Sequence, residues 1–408
     1  MAAVRDDRPV RHPRHRRGGL PQPAGRRPRR GPGRPAGGHP DRPAGRTRPD
    51  RHPFAAPVRR TARPGPCPGA WRAAAPRQAT IRPTGERGTV STPTADQHGH
   101  TDASTEPRWV DTGGGAGPLW SFHVGEVEVF PIREVDYFPV PTDFFPQLES
   151  GSWTEGAFYT REPFTHEGRL RLNQEAHLLR TRDRLILVDA GGGNGKPRRG
   201  GVFDRADRPF LEQFARAGVS LADIDTVVFT HLHVDHVGFA TSADGAGGWV
   251  PTFPNARYLV VREEFEWWTG PEGAAALERT GDYLADSILP LRAAGVLDLV
   301  PADQVLTPEI HLVPAFGHTP GNVYLVVESA GQRALFAGDM LHHGVQLERP
   351  EWSIRYCVVP GDSADQRRRL LERAADSGDL LVPAHFPFPA AGYVHRAGRG
   401  FTYTFIDV

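Results

Sequence analysis

The sequence contains very little cysteine, and this excludes two kinds of site. Of its 408 residues only Cys67 and Cys357 are cysteines, and neither has the CxxC or Cys/His spacing of a thiolate metal site. Two cysteines are also too few for a disulfide framework. We therefore expect Cys357 to fill a core position and the protein to occupy a reducing cytoplasm.

Long apolar runs and lysine are scarce as well. No stretch reaches the roughly 18 consecutive apolar residues of a membrane-spanning helix, so no membrane partner is predicted. Of the 49 basic residues all but Lys196 are arginine. Residues 1–89 carry 22 of these arginines against five acidic residues, whereas the rest of the chain carries 27 basic and 43 acidic residues. The net charge of +1 is therefore the sum of a strongly positive first part and a strongly negative second part.

The basic half is rich in proline and glycine and has almost no apolar clusters. Such a segment cannot bury enough apolar surface to offset its ordering entropy, so we predict a disordered leader over residues 1–108. Three interpretations of its first 89 residues remain open. The favoured one is a mis-annotated start, with the natural start near Val90, because out-of-frame reading of GC-rich coding yields Arg, Pro, Gly and Ala. A basic tail for nucleic acid or acidic surfaces and a targeting segment are the others.

Strand-like and helix-like segments follow one another from Trp109 onward, which predicts one folded domain over 109–408. Residues 120–135 alternate apolar and polar side chains as a strand does, and 224–230 is rich in the β-branched residues typical of a buried strand. Amphipathic spacing predicts helices over 262–268, 273–296 and 365–375. Strands interleaved with helices, in two similar halves, indicate an α/β or α+β sandwich.

Three histidines and one aspartate fall within six residues directly after the second of these strands. Imidazole and carboxylate are the ligands that zinc and similar cations prefer. His231 and His233, two residues apart, project to one side of an extended stretch, and Asp235 and His236 reach a second position if the chain turns at Val234. A metal centre is therefore predicted, and a surface histidine cluster is the alternative.

The segment HLHVDH (231–236) matches the HxHxDH signature of the metallo-β-lactamase superfamily, and four further motifs resemble that family's elements in the family's order. They are LILVDAGGG (185–193), FGHTPG (316–321), FAGD (336–339) and the pair Ala384-His385. The resemblance runs from about residue 120 to 400 and implies a four-layer αββα sandwich of the α+β class. The motifs GDMLHH and AHFPFP are most similar to the branch of methyl parathion hydrolases and N-acyl homoserine lactonases.

The resemblance also implies two divalent metal ions, with zinc as the default. One would be held by His231, His233 and His318, the other by Asp235, His236 and His385, with Asp339 bridging the two. Asp189 would orient a ligand loop from outside. His342 takes the place where lactonase relatives carry a tyrosine, so we expect it to contact the substrate or an oxyanion.

The implied reaction is hydrolysis of an ester-like bond, in a lactone, a carboxylic ester or a phosphotriester, by a hydroxide held between the metals. Asp235 or a bound water would carry the proton, and the substrate would be a small apolar molecule. Five aromatic side chains are candidates for the pocket wall: Phe144, Phe145, Trp267, Phe386 and Phe388.

Three other functions remain as alternatives. Thioester hydrolysis of the glyoxalase II kind is the nearest, although no basic cluster for an anionic thiol is evident. Nuclease action is disfavoured because the residues after the leader carry an excess of negative charge. A non-catalytic metal-binding protein is the third. The helical region after Trp267 either covers the pocket or forms a homodimer contact, and both readings stay open.

Overall fold

The computed structural model describes residues 108–110, 119–139, 143–148, 164–166, 169–199 and 201–408. The predicted leader thus lies outside the described residues, apart from Arg108, and its interpretations stay predictions. In the described part of the chain, no helix is long and apolar enough to cross a membrane.

The elements of the described residues divide into strands and mostly short helices. The strands are β1 (Arg108–Val110), β2 (Leu119–Val124), β3 (Val127–Pro139), β4 (Thr165–His166), β5 (Arg169–Arg180), β6 (Leu185–Val188), β7 (Thr226–Val228), β8 (Thr241–Ala243), β9 (Trp249–Pro251), β10 (Arg257–Val261), β11 (Leu297–Val300), β12 (Val305–Thr307), β13 (Ile310–Pro314), β14 (Val323–Ser329), β15 (Gln332–Gly338), β16 (Leu380–Pro383), β17 (Gly392–Ala397) and β18 (Gly400–Phe405). The helices are α1 (Glu212–Arg216), α2 (Val234–Val237), α3 (Arg262–Trp268), α4 (Pro271–Thr280), α5 (Leu284–Ser287), α6 (Leu289–Ala293), α7 (Val345–Glu348) and α8 (Pro360–Ser377).

Two large sheets organise these strands. The first has the order β1-β2-β3-β5-β6-β7-β10-β11, with β4 paired to β5, and the second runs from β12 to β18 in sequence order. β8 and β9 form a separate hairpin. Strands β6, β7, β10 and β11 are mutually parallel, as are β15 and β16. Parallel strands send their carboxyl ends to one edge, where ligands of α/β sheets commonly bind.

Alternating side chains show how the sheets stack. In β6, Ile186 and Val188 point into the core between the two sheets, whereas Leu187 points into the core beneath the helices of the first half. In β14, Leu325 faces the core between the sheets and Val326 faces α8. Period-two alternation with both faces apolar is what a doubly covered sheet requires. The predicted four-layer αββα sandwich is therefore confirmed.

Element boundaries differ from the predictions where glycine or proline intervenes. The predicted strand 120–135 is a hairpin of β2 and β3, because Gly125 adopts a φ of 59° in the turn, and a Cβ there would lie 2.1 Å from the carbonyl oxygen of Ser329. The predicted helix 273–296 is broken into α4, α5 and α6, with Gly281 at a φ of 95° and a proline at the start of α6. Helix α3 spans the predicted 262–268.

Candidate metal centre

The loop after β7 presents four of the predicted ligands in two directions. His233 has an extended backbone (φ −70°, ψ 159°), and α2 begins at the next residue. His231 and His233 therefore belong to an extended stretch, while Asp235 and His236 lie on a helical turn. Close packing fixes this turn, because a Cβ on Gly238 would lie 1.9 Å from the carbonyl carbon of Gly192.

His231, His233 and His318 form the first ligand set. Nδ1 of His233 lies 3.0 Å from Nε2 of His231 and 2.9 Å from Nε2 of His318. Burial and the neighbouring imidazoles hold the pKa of His231 and of His233 well below its usual value. Neutral imidazoles offer lone pairs, so these nitrogens suit a cation placed among them.

Asp235, His236 and His385 form the second ligand set. The Asp235 carboxylate lies 3.8 Å from Nε2 of His236 and 3.7 Å from Nε2 of His385. Within each set the donor atoms lie within 4.8 Å of one another. The two sets thus bring together residues from three separate stretches of the chain.

Asp339 joins the two sets, with one carboxylate oxygen directed at each. Its Oδ2 lies 3.4 Å from Nε2 of His231 and 3.2 Å from Nε2 of His318. Its Oδ1 lies 3.0 Å from Nε2 of His236 and 2.9 Å from Nε2 of His385. A carboxylate divided in this way is suited to bridging two ions.

The Nδ1 atoms of three of these histidines, on the far side of each ring from the centre, make hydrogen bonds that fix the ring tautomers. Nδ1 of His236 donates to Oδ2 of Asp189 at 2.8 Å, and Nδ1 of His385 donates to the carbonyl oxygen of Asn173 at 2.8 Å. The Thr230 hydroxyl donates to Asp189, so it accepts from Nδ1 of His231 at 3.1 Å. In all three rings Nε2 is then the nitrogen that faces the centre, where it is available to a cation that displaces any proton on it.

The donor set fits two divalent cations. Nε2 of His236 and Oδ1 of Asp339 are buried, and neither atom makes a hydrogen bond to the described residues. The two atoms lie 3.0 Å apart, so both are available to the same cation. Burial opposes protonation of His236 and His385, yet the nearby carboxylates outweigh it and raise the pKa of both. The space therefore favours positive charge, which bound cations would supply.

His342 belongs to the same cluster. Its Nε2 lies 3.1 Å from Oδ2 of Asp339, and its ring stacks on that of His385 with centroids 5.3 Å apart. Burial lowers the pKa of His342 to about 3, so the ring is neutral and has one N–H. The neighbouring His343 is directed elsewhere, and its Nε2 donates to the carbonyl oxygen of Phe164 at 2.7 Å.

Two of the five predicted pocket aromatics, Phe144 and Trp267, lie close to the ligand sets. The Phe144 ring lies 5.9 Å from that of His342. Trp267 packs against Trp268 at 4.9 Å, and it is Trp268 that contacts His233, at 5.5 Å. Successive helical residues point about 100° apart, so Trp268 faces the ligand in place of the predicted Trp267.

The other three predicted aromatics occupy core positions. Phe145 is buried in the apolar cluster that also contains Phe144, and its ring lies against His343 rather than against a ligand. Phe386 is fully buried with its ring 5.3 Å from Tyr403, on the α8 side of the second sheet. Phe388 packs on Trp120 at 5.0 Å between the sheets. The structure does not bring Phe386 or Phe388 to the ligands, because the chain after the last ligand turns back into the sandwich.

Comparison with known proteins decides the family. The model of the metallo-beta-lactamase superfamily matches residues 170–385, which is more than half of the chain. The chain belongs to the metallo-β-lactamase superfamily. The expected resemblance is thereby confirmed.

Relatives within the superfamily include lactonases and other hydrolases. An N-acyl homoserine lactonase from a Bacillus species is 27% identical over 166 residues, which are 38% of this chain and 57% of the relative. The chain thus matches little more than half of that lactonase's length. A probable metallo-hydrolase of Mycobacterium tuberculosis is 29% identical over 240 residues, 52% of this chain and 73% of the relative.

Solved structures share the fold. The hydrolase AbOPH of the beta lactamase superfamily is similar with a TM-score of 0.59 and 25% identity, over 71% of this chain and 97% of that one. The dizinc quorum-quenching lactonase AidC gives the same TM-score and coverage at 21% identity. The latter likeness shows the common fold alone.

Proposed function

We propose that the chain is a metal-dependent hydrolase with a dinuclear centre that cleaves an ester-like bond in a small apolar molecule. The observation that carries this proposal is the Asp339 carboxylate, which directs one oxygen to each ligand set. Zinc is the proposed ion because the donors are imidazoles and carboxylates. When bound, two such ions would polarise the substrate oxygen and make a water molecule between them more acidic.

A lactone is the first choice of substrate, with carboxylic esters and phosphotriesters as the alternatives. The Bacillus relative is an N-acyl homoserine lactonase, although the match covers only part of its length. The rings of Trp268 beside His233 and of Phe144 beside His342 make the surroundings of the ligands apolar. Such surroundings suit an apolar chain attached to the reacting group.

Asp235 is the residue placed to carry a proton. Its side chain is 17% exposed, whereas the side chain of Asp339 is 4% exposed. A carboxylate that solvent and substrate can reach is able to take a proton from the attacking water and pass it to the leaving group. Asp339, enclosed by imidazoles, has no such access.

His342 has a positioning role in this proposal. Its single N–H is engaged by Oδ2 of Asp339, so no second N–H remains for a substrate oxyanion. The ring holds Asp339 in the orientation that serves both ligand sets. This differs from the direct substrate contact expected by resemblance, which would require the bond to Asp339 to break.

A substrate panel on zinc-loaded protein tests the proposal. The panel contains acyl homoserine lactones, aryl esters, a paraoxon-like phosphotriester and a glutathione thioester, with zinc stoichiometry measured on the same sample. We expect two zinc ions per chain and turnover of at least one of the first three classes. Turnover of the thioester alone would support the glyoxalase II alternative, and two bound zinc ions without any turnover would indicate a non-catalytic protein. Cytoplasmic location and the homodimer remain predictions.

A further inference from the structure

The imidazole of His318 is held by a sulfur atom. Its Nδ1 lies 3.3 Å from Sγ of Cys357, which is 1% exposed. Two backbone bonds place the thiol there, because the N–H of Val358 donates to the carbonyl oxygen of His318 and the N–H of Val359 to that of Gly317, both at 2.9 Å. Cys357 is therefore built into the ligand loop and is more than a core filler.

A chain of hydrogen bonds sets the direction of this contact. Nη2 of Arg367 donates to Oγ of Ser363 at 3.0 Å. The Cys357 thiol donates to the same oxygen at 3.6 Å, a normal length for a bond involving sulfur. With its hydrogen directed at Ser363, the sulfur is left as the acceptor for the Nδ1–H of His318. Nε2 of His318, the nitrogen available to a cation, then faces the first ligand set.

Arg367 anchors this chain at its far end. The side chain is fully buried in α8, and besides Ser363 it donates to the carbonyl oxygens of Met340 at 2.6 Å, Pro350 at 2.7 Å and Trp352 at 2.8 Å. Met340 directly follows the bridging aspartate. The same guanidinium thus braces the sulfur beside His318 and the turn that carries Asp339.

We propose that Cys357 is a positioning residue for the ligand His318, fixing its tautomer and ring orientation so that the first ligand set binds its cation tightly. The inference rests on the proposed function. Cys357 would thus hold the outer nitrogen of His318. Asp189, Asn173 and Thr230 hold the outer nitrogens of His236, His385 and His231, respectively. Removing such an outer partner from a metal site typically weakens metal affinity about 10–100-fold.

Zinc affinity measured site by site tests this role. The two zinc dissociation constants of the full chain are obtained by competition with a chromophoric chelator, and the thermal midpoint of the zinc-free protein is measured in parallel. In Cys357→Ala we expect one dissociation constant to rise about 10–100-fold and the other to stay within about twofold. Cys357→Ser keeps a hydrogen-bond acceptor on a shorter side chain. Its zinc dissociation constant at the affected site should lie between those of Cys357→Ala and the parent protein.

Ile354→Val is the matched control, because Ile354 lies in the same apolar cluster as Cys357 and loses one methyl group without touching a ligand. Ser363→Ala removes the acceptor that orients the thiol, and it carries the test if Cys357→Ala does not fold. We expect it to weaken the same zinc site by more than about twofold. Unchanged zinc constants in whichever of these two variants folds would overturn the positioning role while leaving the dinuclear centre intact. A parent protein that binds no zinc would instead overturn the proposed function.

Discussion

Oε2 of Glu264 accepts a hydrogen bond from the backbone N–H of Gly321 at 2.8 Å. The other oxygen, Oε1, accepts from the N–H of Leu232 at 2.9 Å and from Nε1 of Trp268 at 2.8 Å. Leu232 lies between two ligands of the first set, and Gly321 follows the third ligand, His318, by three residues. One buried carboxylate on α3 therefore ties both ligand loops together.

Replacing Glu264 by Gln should weaken the hydrogen bonds that connect the two ligand loops to α3. The amide must turn an N–H₂ toward a backbone N–H that now has no acceptor, which costs about 1–3 kcal/mol of the free energy of unfolding. We expect that loss in urea denaturation of the zinc-free protein, together with weaker zinc binding at the first ligand set. Glu263→Gln, at an exposed neighbouring position, is the control and should match the parent. Equal stabilities of the two variants would contradict the role given to Glu264.

The grouping of the proposed ligands could be predicted from the sequence, whereas the residues that support them could not. His231, His233, Asp235 and His236 are adjacent in the chain, so their grouping follows from a short motif. Glu264 meets partners 32 and 57 residues away. Helix α3 begins with several glutamates, and only the rotation of the packed helix decides which of them faces inward.

Cys357 illustrates the same limit. A single cysteine without a spacing partner indicates a core position on composition alone. Its contact with His318 depends on how the segment before α8 lies against the ligand loop, 39 residues away in sequence. The strands were predictable because alternation is local, whereas the breaks at Gly125 and Gly281 depend on backbone conformation that the neighbouring side chains do not reveal.

Substituting Asp339 by Asn should uncouple the two ligand sets. The amide keeps the shape but has one oxygen and no charge, so it serves only one set and leaves the imidazoles without their shared anion. We expect fewer than two zinc ions per chain in elemental analysis. Hydrolysis should fall by more than about 100-fold, beyond the usual range for an outer partner. Asp303→Asn, at an exposed position, should retain both ions, and two ions in Asp339→Asn would refute a bridging role.

Substituting Asp235 by Asn should separate chemistry from folding. The variant loses the accessible carboxylate proposed to carry the proton, and general acid–base catalysis typically contributes about 10²–10⁴-fold. We expect kcat to fall within this range for the best substrate of the panel. The thermal midpoint of the zinc-free protein should stay close to that of the parent. Near-parental kcat would rule out Asp235 as the proton carrier.

A buried acid between the sheets should make the stability of the fold fall between about pH 4.5 and pH 8. Neither carboxylate oxygen of Glu175 has a hydrogen-bond partner among the described residues, and Oε2 lies 3.9 Å from Nε2 of His177. Burial raises the pKa of Glu175 to about 8, against the opposing charge of Arg133 and with a smaller contribution from Asp136. Burial also lowers the pKa of His177 to about 3, so His177 stays neutral above that pH.

The sign of the effect follows from proton linkage. Between about pH 4.5 and pH 8 the folded protein keeps the Glu175 proton while the unfolded chain releases it, so the free energy of unfolding falls as pH rises. Glu175→Gln cannot titrate, and its stability relative to the parent should therefore increase from pH 5 to pH 8. At 1.36 kcal/mol per pKa unit the gain amounts to roughly 4 kcal/mol at most.

Urea denaturation at pH 5 and pH 8, in the presence of a chelator, measures this gain without interference from metal binding. Glu126→Gln, at an exposed position in the turn between β2 and β3, is the matched control. Its stability relative to the parent should be the same at both pH values. If Glu175→Gln behaved like this control, the Glu175 carboxyl would have to be ionised and solvated in the folded protein. The space between the sheets beneath the ligands would then hold water rather than a dry core.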